Sequence, residues 1–291
     1  TQVFTEQSVT YADSKWGYSP VSYWDKSATS YSFYAAAPQT AAWTFVNDAT
    51  KGKYYTISGF VASGESLDLA TLDAPNAAAV FGEEDLMIAT DIPAHTTFTA
   101  EAVNFTFNHI LSRFNIAIST SITDGTVTLT SLTVNGMKNK GSFDENLDAA
   151  STAGSTARWN NLAVDGTYAI TAVKDASNNN VVVNAKKQFV YQGLVIPQTA
   201  AYESIKLDGT SEEAAPYLNI QYTIKTGELN EQSYSYYYNL AGLFGATAET
   251  PLAFNEGWQN NLYITIGAAA INFDADVYEW ANANDGTLTV D

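Results

Sequence analysis

Residues 257–280 read GWQNNLYITIGAAAINFDADVYEW, from Gly257 to Trp280, and this stretch decides the fold class. Leu262, Ile264 and Ile266 share one parity, then Ile271, Phe273, Ala275 and Val277 share the other. Period-two alternation marks strands with one face on a core and one in water. Gly267 and the three alanines after it separate the runs, so two consecutive half-buried strands are predicted. Eleven residues follow Trp280, and they contain one more small alternating run, Thr287-Leu288-Thr289-Val290.

The rest of the composition agrees with strands. The chain has 291 residues, 46% of them hydrophobic and 13% aromatic, with 18 Tyr and 14 Phe. That is enough apolar material for a globular chain, and the aromatic and β-branched residues favour sheets. Helical periodicity is hard to find, so the fold class is all-β. The length suggests two domains, each with its own core.

Thirteen basic against 31 acidic residues leave a net charge of −18. The imbalance is general: residues 1–100 carry four basic and eleven acidic side chains, the remainder nine and twenty. Such a surface repels a phosphate backbone, which excludes nucleic acid as a partner. With no cysteine there is no disulfide, thiolate metal site or Cys nucleophile.

Along the chain, Val3–Tyr11, Val21–Trp24, Tyr31–Ala35, Trp43–Val46 and Tyr54–Val61 are strand candidates, with Lys51-Gly52-Lys53 as a hairpin tip. Asp85–Ala89 is a short buried strand. The segment Pro93–Ala102 loses alternation and is the expected boundary between an N-terminal domain, 1–100, and a C-terminal domain, 101–291. Beyond it, apolar parity switches twice, between Phe107 and Phe114 and between Leu129 and Leu132. Each switch needs an inserted residue, so a bulge or kink is expected near Ser112-Arg113 and another past Leu129. Asp124-Gly125 reads as a hairpin turn. Residues 144–168 look like loop with Trp159 as an anchor. Phe189–Ile196 is a strand, and Tyr217–Lys225 pairs with Ser233–Leu240.

The chemistry-bearing motifs are few. There is no HExxH, GxSxG, phosphate loop or dinucleotide fingerprint, no calcium loop of the DxDxDG type, and no cofactor is expected. His109, in an apolar strand, reads as a hydrogen-bonded core residue. Trp16, Tyr18, Tyr23 and Trp24 lie close in sequence and are candidate rings for stacking on sugars, although strand aromatics more commonly pack in cores and cross-strand pairs.

Several stretches, taken in order, resemble one family. They are VTYADSKWGYSPVSYWDKSATSYSFYAAAP at Val9–Pro38, DLMIA at Asp85–Ala89 and VNFTFNHILSRFNIAI at Val103–Ile118. LTSLTVNGMKNKGSFD at Leu129–Asp144, LVIPQ at Leu194–Gln198 and the closing Gly257–Trp280 stretch complete the set. The chain is similar to the fimbrillins, the type V pilins of Bacteroidales. The resemblance implies two transthyretin-like β-sandwich domains in tandem and a structural, non-enzymatic subunit of cell-surface fimbriae. It also implies export through the outer membrane as a lipoprotein precursor, proteolytic maturation after Arg or Lys, and polymerisation with other pilin subunits by donor-strand exchange. An upstream segment with a lipidated Cys is therefore expected before Thr1. An adhesin or carbohydrate-binding module on the same fold, with host or bacterial surface glycans or proteins as partners, is the alternative.

For the donor strand, the C-terminal run Thr287, Leu288, Thr289 and Val290 is the candidate. Ala281–Gly286 gives a polar spacer ahead of it, and Leu288 and Val290 share a face. The competing reading is a tail that completes its own sandwich or frays.

Overall fold

A computed structural model describes residues 7–12, 15–23, 25, 27–39, 41–64, 66, 85–89, 103–146, 158–165, 169–172, 174, 179–202, 215–228, 230–268 and 270–279. The fold is all-β. In chain order the first strands are β1 (Thr10–Ala12), β2 (Lys15–Gly17), β3 (Ala35–Ala37), β4 (Thr44–Asp48), β5 (Gly52–Val61), β6 (Met87–Ala89) and β7 (Phe107–His109). Then come β8 (Ser112–Thr120), β9 (Thr126–Asn135), β10 (Lys140–Asp144), β11 (Trp159–Ala163), β12 (Ala169–Thr171) and β13 (Val181–Val183). The last are β14 (Gln188–Val195), β15 (Gln198–Ala200), β16 (Tyr217–Lys225), β17 (Gln232–Asn239), β18 (Leu252–Phe254), β19 (Trp258–Ile266) and β20 (Ile271–Glu279). A single helical turn, α1 (Leu240–Leu243), follows β17, its N-cap Asn239 accepting from the Gly242 amide.

Two sheets make the larger sandwich. One runs β14-β8-β19-β20 and the other β12-β9-β16-β17, with β13 also on β9. The Gly257–Trp280 stretch supplies two strands of the first, β19 parallel to β8 and antiparallel to β20. Between the sheets lies a core built from Phe114, Ile116 and Ile118 of β8, Leu132 and Val134 of β9, Leu218 and Ile220 of β16, and Leu262, Ile264 and Ile266 of β19. All ten are fully buried. At roughly 1.5–3 kcal/mol per fully buried aliphatic or aromatic side chain, this layer is the largest favourable term in the fold.

A second core centres on Ile57 of β5, Leu86, Ile88 of β6, Phe143 of β10 and Trp159 of β11. It sits on the sheet β11-β10-β5-β4 and the three-stranded sheet β3-β6-β7. Pairing here spans the chain: β5, at 52–61, takes β10, at 140–144, as its neighbour. The segment 93–102, where the sequence places a boundary, lies outside the described residues. β14 serves both cores, sending Tyr191 and Val195 into the first and Leu194 into the second. That accounts for burial at every position of β14; β8, beside it in the sheet, is buried at every position too.

The parity switches have two different causes. Between Phe107 and Phe114 the strand breaks: β7 ends at His109, β8 starts at Ser112, and the two belong to different sheets. Past Leu129 the strand continues, and a bulge against β16 absorbs the extra residue, Gln221 facing Ser131 and Tyr222 facing Leu129. The hairpin reading of Asp124-Gly125 is overturned, because β8 and β9 lie in opposite sheets. The turn is a corner of the sandwich. A Cβ on Gly125 would lie 3.0 Å from the Thr226 hydroxyl and 3.1 Å from the Lys225 carbonyl, so glycine here serves close approach and not a tight two-residue hairpin.

Near the N-terminus, Trp43–Val46 and Tyr54–Val61 correspond to β4 and β5, while strand formation around Tyr31–Ala35 is delayed to Ala35–Ala37. Residues 21–23 form no strand. The expected loop 144–168 holds the strand β11, with Trp159 buried as its first residue.

Candidate functional site

The sugar-stacking candidates sit in the N-terminal segment. β1 and β2 pair antiparallel, and the backbone register sets position 11 opposite position 16. Tyr18 follows half-buried, and Tyr23 is 87% exposed. Trp24, like the donor candidates Thr287, Leu288, Thr289 and Val290, lies outside the described residues. Asp25 pins the next turn: its carboxylate accepts from the Ser27 amide at 2.9 Å and hydroxyl at 2.6 Å, which hold its pKa below the usual value. Tyr31 closes it, its hydroxyl donating to the Asp25 carbonyl.

The strand leading to the C-terminal tail is β20. It ends its sheet, with β19 as its one strand neighbour among the described residues. Ile271, Phe273 and Ala275 lean on the core, and Phe273 meets Tyr238 of β17 edge to face at 4.7 Å. β17 ends the facing sheet, so these two edge strands bound one open side of the sandwich. Tyrosines line it. Tyr222 and Tyr234 stack at 5.1 Å, and Tyr236 stacks on Tyr222 at 6.3 Å while 39% exposed. Burial, followed by the neighbouring tyrosines, pushes the Tyr222 hydroxyl up to about 12.

The opposite face of β20 carries polar residues that belong to a chain of hydrogen bonds across the sheet. Arg113 donates to Asn115, Asn115 to Asn261 at 2.7 Å, and Asn261 to the Asp276 carboxylate at 2.5 Å. The Tyr263 hydroxyl donates to the other Asp276 oxygen at 3.1 Å. Burial first, then Asp276, raises the Tyr263 hydroxyl to about 12. Gln259 and Tyr278 join the chain at 2.6 Å. Arg113 is buried, and that desolvation lowers its pKa. Sequence reading passed over this chain because polar side chains alternating with apolar ones along a strand look like a solvated face. Only the register between β8 and β19 reveals that they meet.

Other sequence candidates resolve simply. His109 Nδ1 lies 2.7 Å from Asp85 Oδ1 in a half-buried pair, as expected of a hydrogen-bonded strand histidine. Among the described residues no group of three or more His, Cys, Asp or Glu could hold a metal, and no helix is long and apolar enough to cross a membrane.

Comparison with known proteins agrees with this architecture. No curated protein matches the chain. A fimbrial protein from Bacteroides vulgatus is similar in structure, with a TM-score of 0.60 at 16% identity, over 96% of this chain and 86% of that one. A protein from Bacteroides uniformis described as a candidate cell adhesion protein gives a TM-score of 0.44 at 18% identity, over 94% and 79%. The first likeness, at such low identity, speaks to the fold alone. The family model described as Fimbrillin-like matches residues 1–280, and the chain therefore belongs to the fimbrillin-like family.

Proposed function

We propose that this chain is a structural subunit of a cell-surface fimbria that polymerises by giving an extended strand to its neighbour. Family membership makes it a fimbrial or adhesion protein of the cell surface, not an enzyme. The finer reading is strand exchange with Thr287–Val290 as donor. The observation that carries it is the open side of the sandwich: β17 and β20 each have one strand neighbour among the described residues. An edge strand presents unpaired N–H and C=O groups, and an incoming strand satisfies them while alternate side chains fill apolar pockets. Leu288 and Val290 would contribute about 1.5–3 kcal/mol each if fully buried, with the backbone ladder supplying the rest.

The same proposal takes the chain as two transthyretin-like sandwiches, 1–100 and 101–291, the first completed by β7, β10 and β11 from beyond residue 100, and exported as a lipoprotein precursor. Deleting Asp285–Asp291 tests the donor. A folded monomer that no longer extends filaments, seen by electron microscopy and gel filtration, is the expected result. Normal filaments from the truncated chain would overturn it.

A second reading has an observation of its own. Tyr23 at 87% and Tyr11 at 61% exposure are large rings in water on the N-terminal segment, the arrangement expected of an adhesin that stacks on surface glycans. Retention of the monomer on immobilised glycans, lost in Tyr23→Ala, would favour it.

A further inference from the structure

Two cores joined by a continuous strand path suggest a hinge where β7 gives way to β8. The residues there argue for the opposite. The link is two residues long, Ile110 and Leu111, both fully buried. The Ile110 amide donates to the Leu86 carbonyl at 2.9 Å. Its carbonyl accepts from the Trp159 indole at 2.8 Å, so β11, on the second core, holds it. The next carbonyl, that of Leu111, accepts from the Gly257 amide at 2.9 Å, at the start of β19 on the first core. Consecutive carbonyls of the link are thus gripped from opposite sides.

The residues beside the two grips bind each other. Arg158 precedes Trp159, and Glu256 precedes Gly257. The Arg158 Nε donates to both Glu256 oxygens, at 3.0 and 3.3 Å, and Nη2 makes a further short contact with Oε2. Both side chains are more than nine-tenths buried. The guanidinium lies over the Phe143 ring at 5.2 Å, and the Arg158 carbonyl accepts from the Asp144 amide at 3.0 Å, so its position is fixed from β10 as well. A forked, desolvated contact of this kind fixes distance and angle together. Opening it leaves a charge without its partner, which is far costlier than parting apolar surfaces.

We infer that Arg158 and Glu256, with the Trp159 and Gly257 grips, form a clamp that locks the two cores in one orientation, so that the subunit moves as a single stiff body. The pair is separated by 98 residues, so it forms only when both cores are folded and docked. It therefore couples their folding as well as their orientation.

The absence of native cysteine makes the test direct. Lys51→Cys at the β4–β5 tip and Glu228→Cys at the β16–β17 tip, both exposed, carry spin labels for pulsed electron resonance. A narrow distance distribution is expected in the otherwise native chain. Glu256→Ala should broaden it at least twofold and split one thermal transition into two. Glu256→Gln, which keeps an acceptor for Arg158, should leave it narrow, as should Lys140→Ala, which removes only the exposed Lys140–Asp165 pair. Should Glu256→Ala fail to fold, Arg158→Met/Glu256→Met removes the pair without stranding a charge and should still broaden the distribution. A wide distribution in the native chain overturns the clamp. So does a distribution that stays narrow in the folded Ala or double-Met variant.

Discussion

The buried carboxyl of Glu256 makes the stability of this chain depend on pH in an unusual direction. Burial pushes Glu256 up to about 7 from an ordinary 4.5, and Arg158 pulls back only part of that rise. A carboxyl with a raised folded pKa binds its proton more tightly in the folded chain than in the unfolded one. Its contribution is present in full below about pH 4.5 and is lost as pH rises through about 7. A difference of about 2.5 units corresponds to about 3 kcal/mol. Glu145, also near Arg158, is raised by burial too and adds in the same direction; Asp144 beside it contributes to that rise. Asp25 and Asp48 are lowered by turn hydrogen bonds and act only in more acidic solution. Urea unfolding followed by tryptophan fluorescence at pH 5 and pH 8 should therefore show the native chain less stable at pH 8 by about 2.5 kcal/mol, since at pH 5 the unfolded carboxyl is already mostly ionised. Glu256→Gln cannot titrate and should lose most of that difference. A native stability that is flat or rises from pH 5 to pH 8, or an equal slope in Glu256→Gln, would refute the reasoning.

Two further outcomes follow from packing. Phe114→Ala removes a fully buried ring that meets Phe254 at 5.5 Å and Tyr191 at 5.9 Å, and should cost about 3–5 kcal/mol in urea unfolding. Gly136→Ala should cost more than about 1 kcal/mol, measured the same way, because φ is +79° there and a Cβ would press on Ala215 and Pro216 backbone at 3.2 Å.

The all-β class, the two closing strands and the main strands of the larger sandwich were legible because apolar alternation reports which face is buried. Phe114, Ile116 and Ile118 announce a core face, and they form it. The same signal misled where burial is two-sided. β19 reads as half-buried, yet Gln259, Asn260 and Asn261 are buried like Leu262, their amide nitrogens donating under cover while the Asn260 Oδ1 stays buried without a partner among the described residues. β11 was hidden for another reason. Trp159-Asn160-Asn161-Leu162-Ala163 has little alternation of its own and becomes a strand by pairing with β10. Tertiary pairing overrode local preference. The clamp was invisible, since nothing in Arg158 or Glu256 taken alone distinguishes a buried partner from a surface charge. The switch between Phe107 and Phe114 was visible as a fault in the pattern, but sequence could not tell a bulge from a strand passing between sheets.

The hydrogen-bonded chain from Arg113 to Asp276 addresses a problem that alternation leaves open. A one-residue slip of β19 along β8 would turn Leu262, Ile264 and Ile266 away from the core, and burial alone forbids it. A two-residue slip keeps every apolar side chain on the core face, so the hydrophobic pattern scarcely distinguishes it from the native register. The polar face does distinguish it. In the native parallel register Asn115 lies beside Asn261, and Asn261 beside Asp276 of β20. Slipping β19 by two places Gln259 or Tyr263 beside Asn115 and strands buried amide groups without partners, at about 1–3 kcal/mol each. Because β8 is covered on both faces, water cannot repair the loss. Asn260 adds to this from the next position, donating to the Ser112 hydroxyl at 2.9 Å. The apolar residues thus choose the face and the buried amides choose the register, and β20, the edge that leads toward the proposed donor, inherits its position from both.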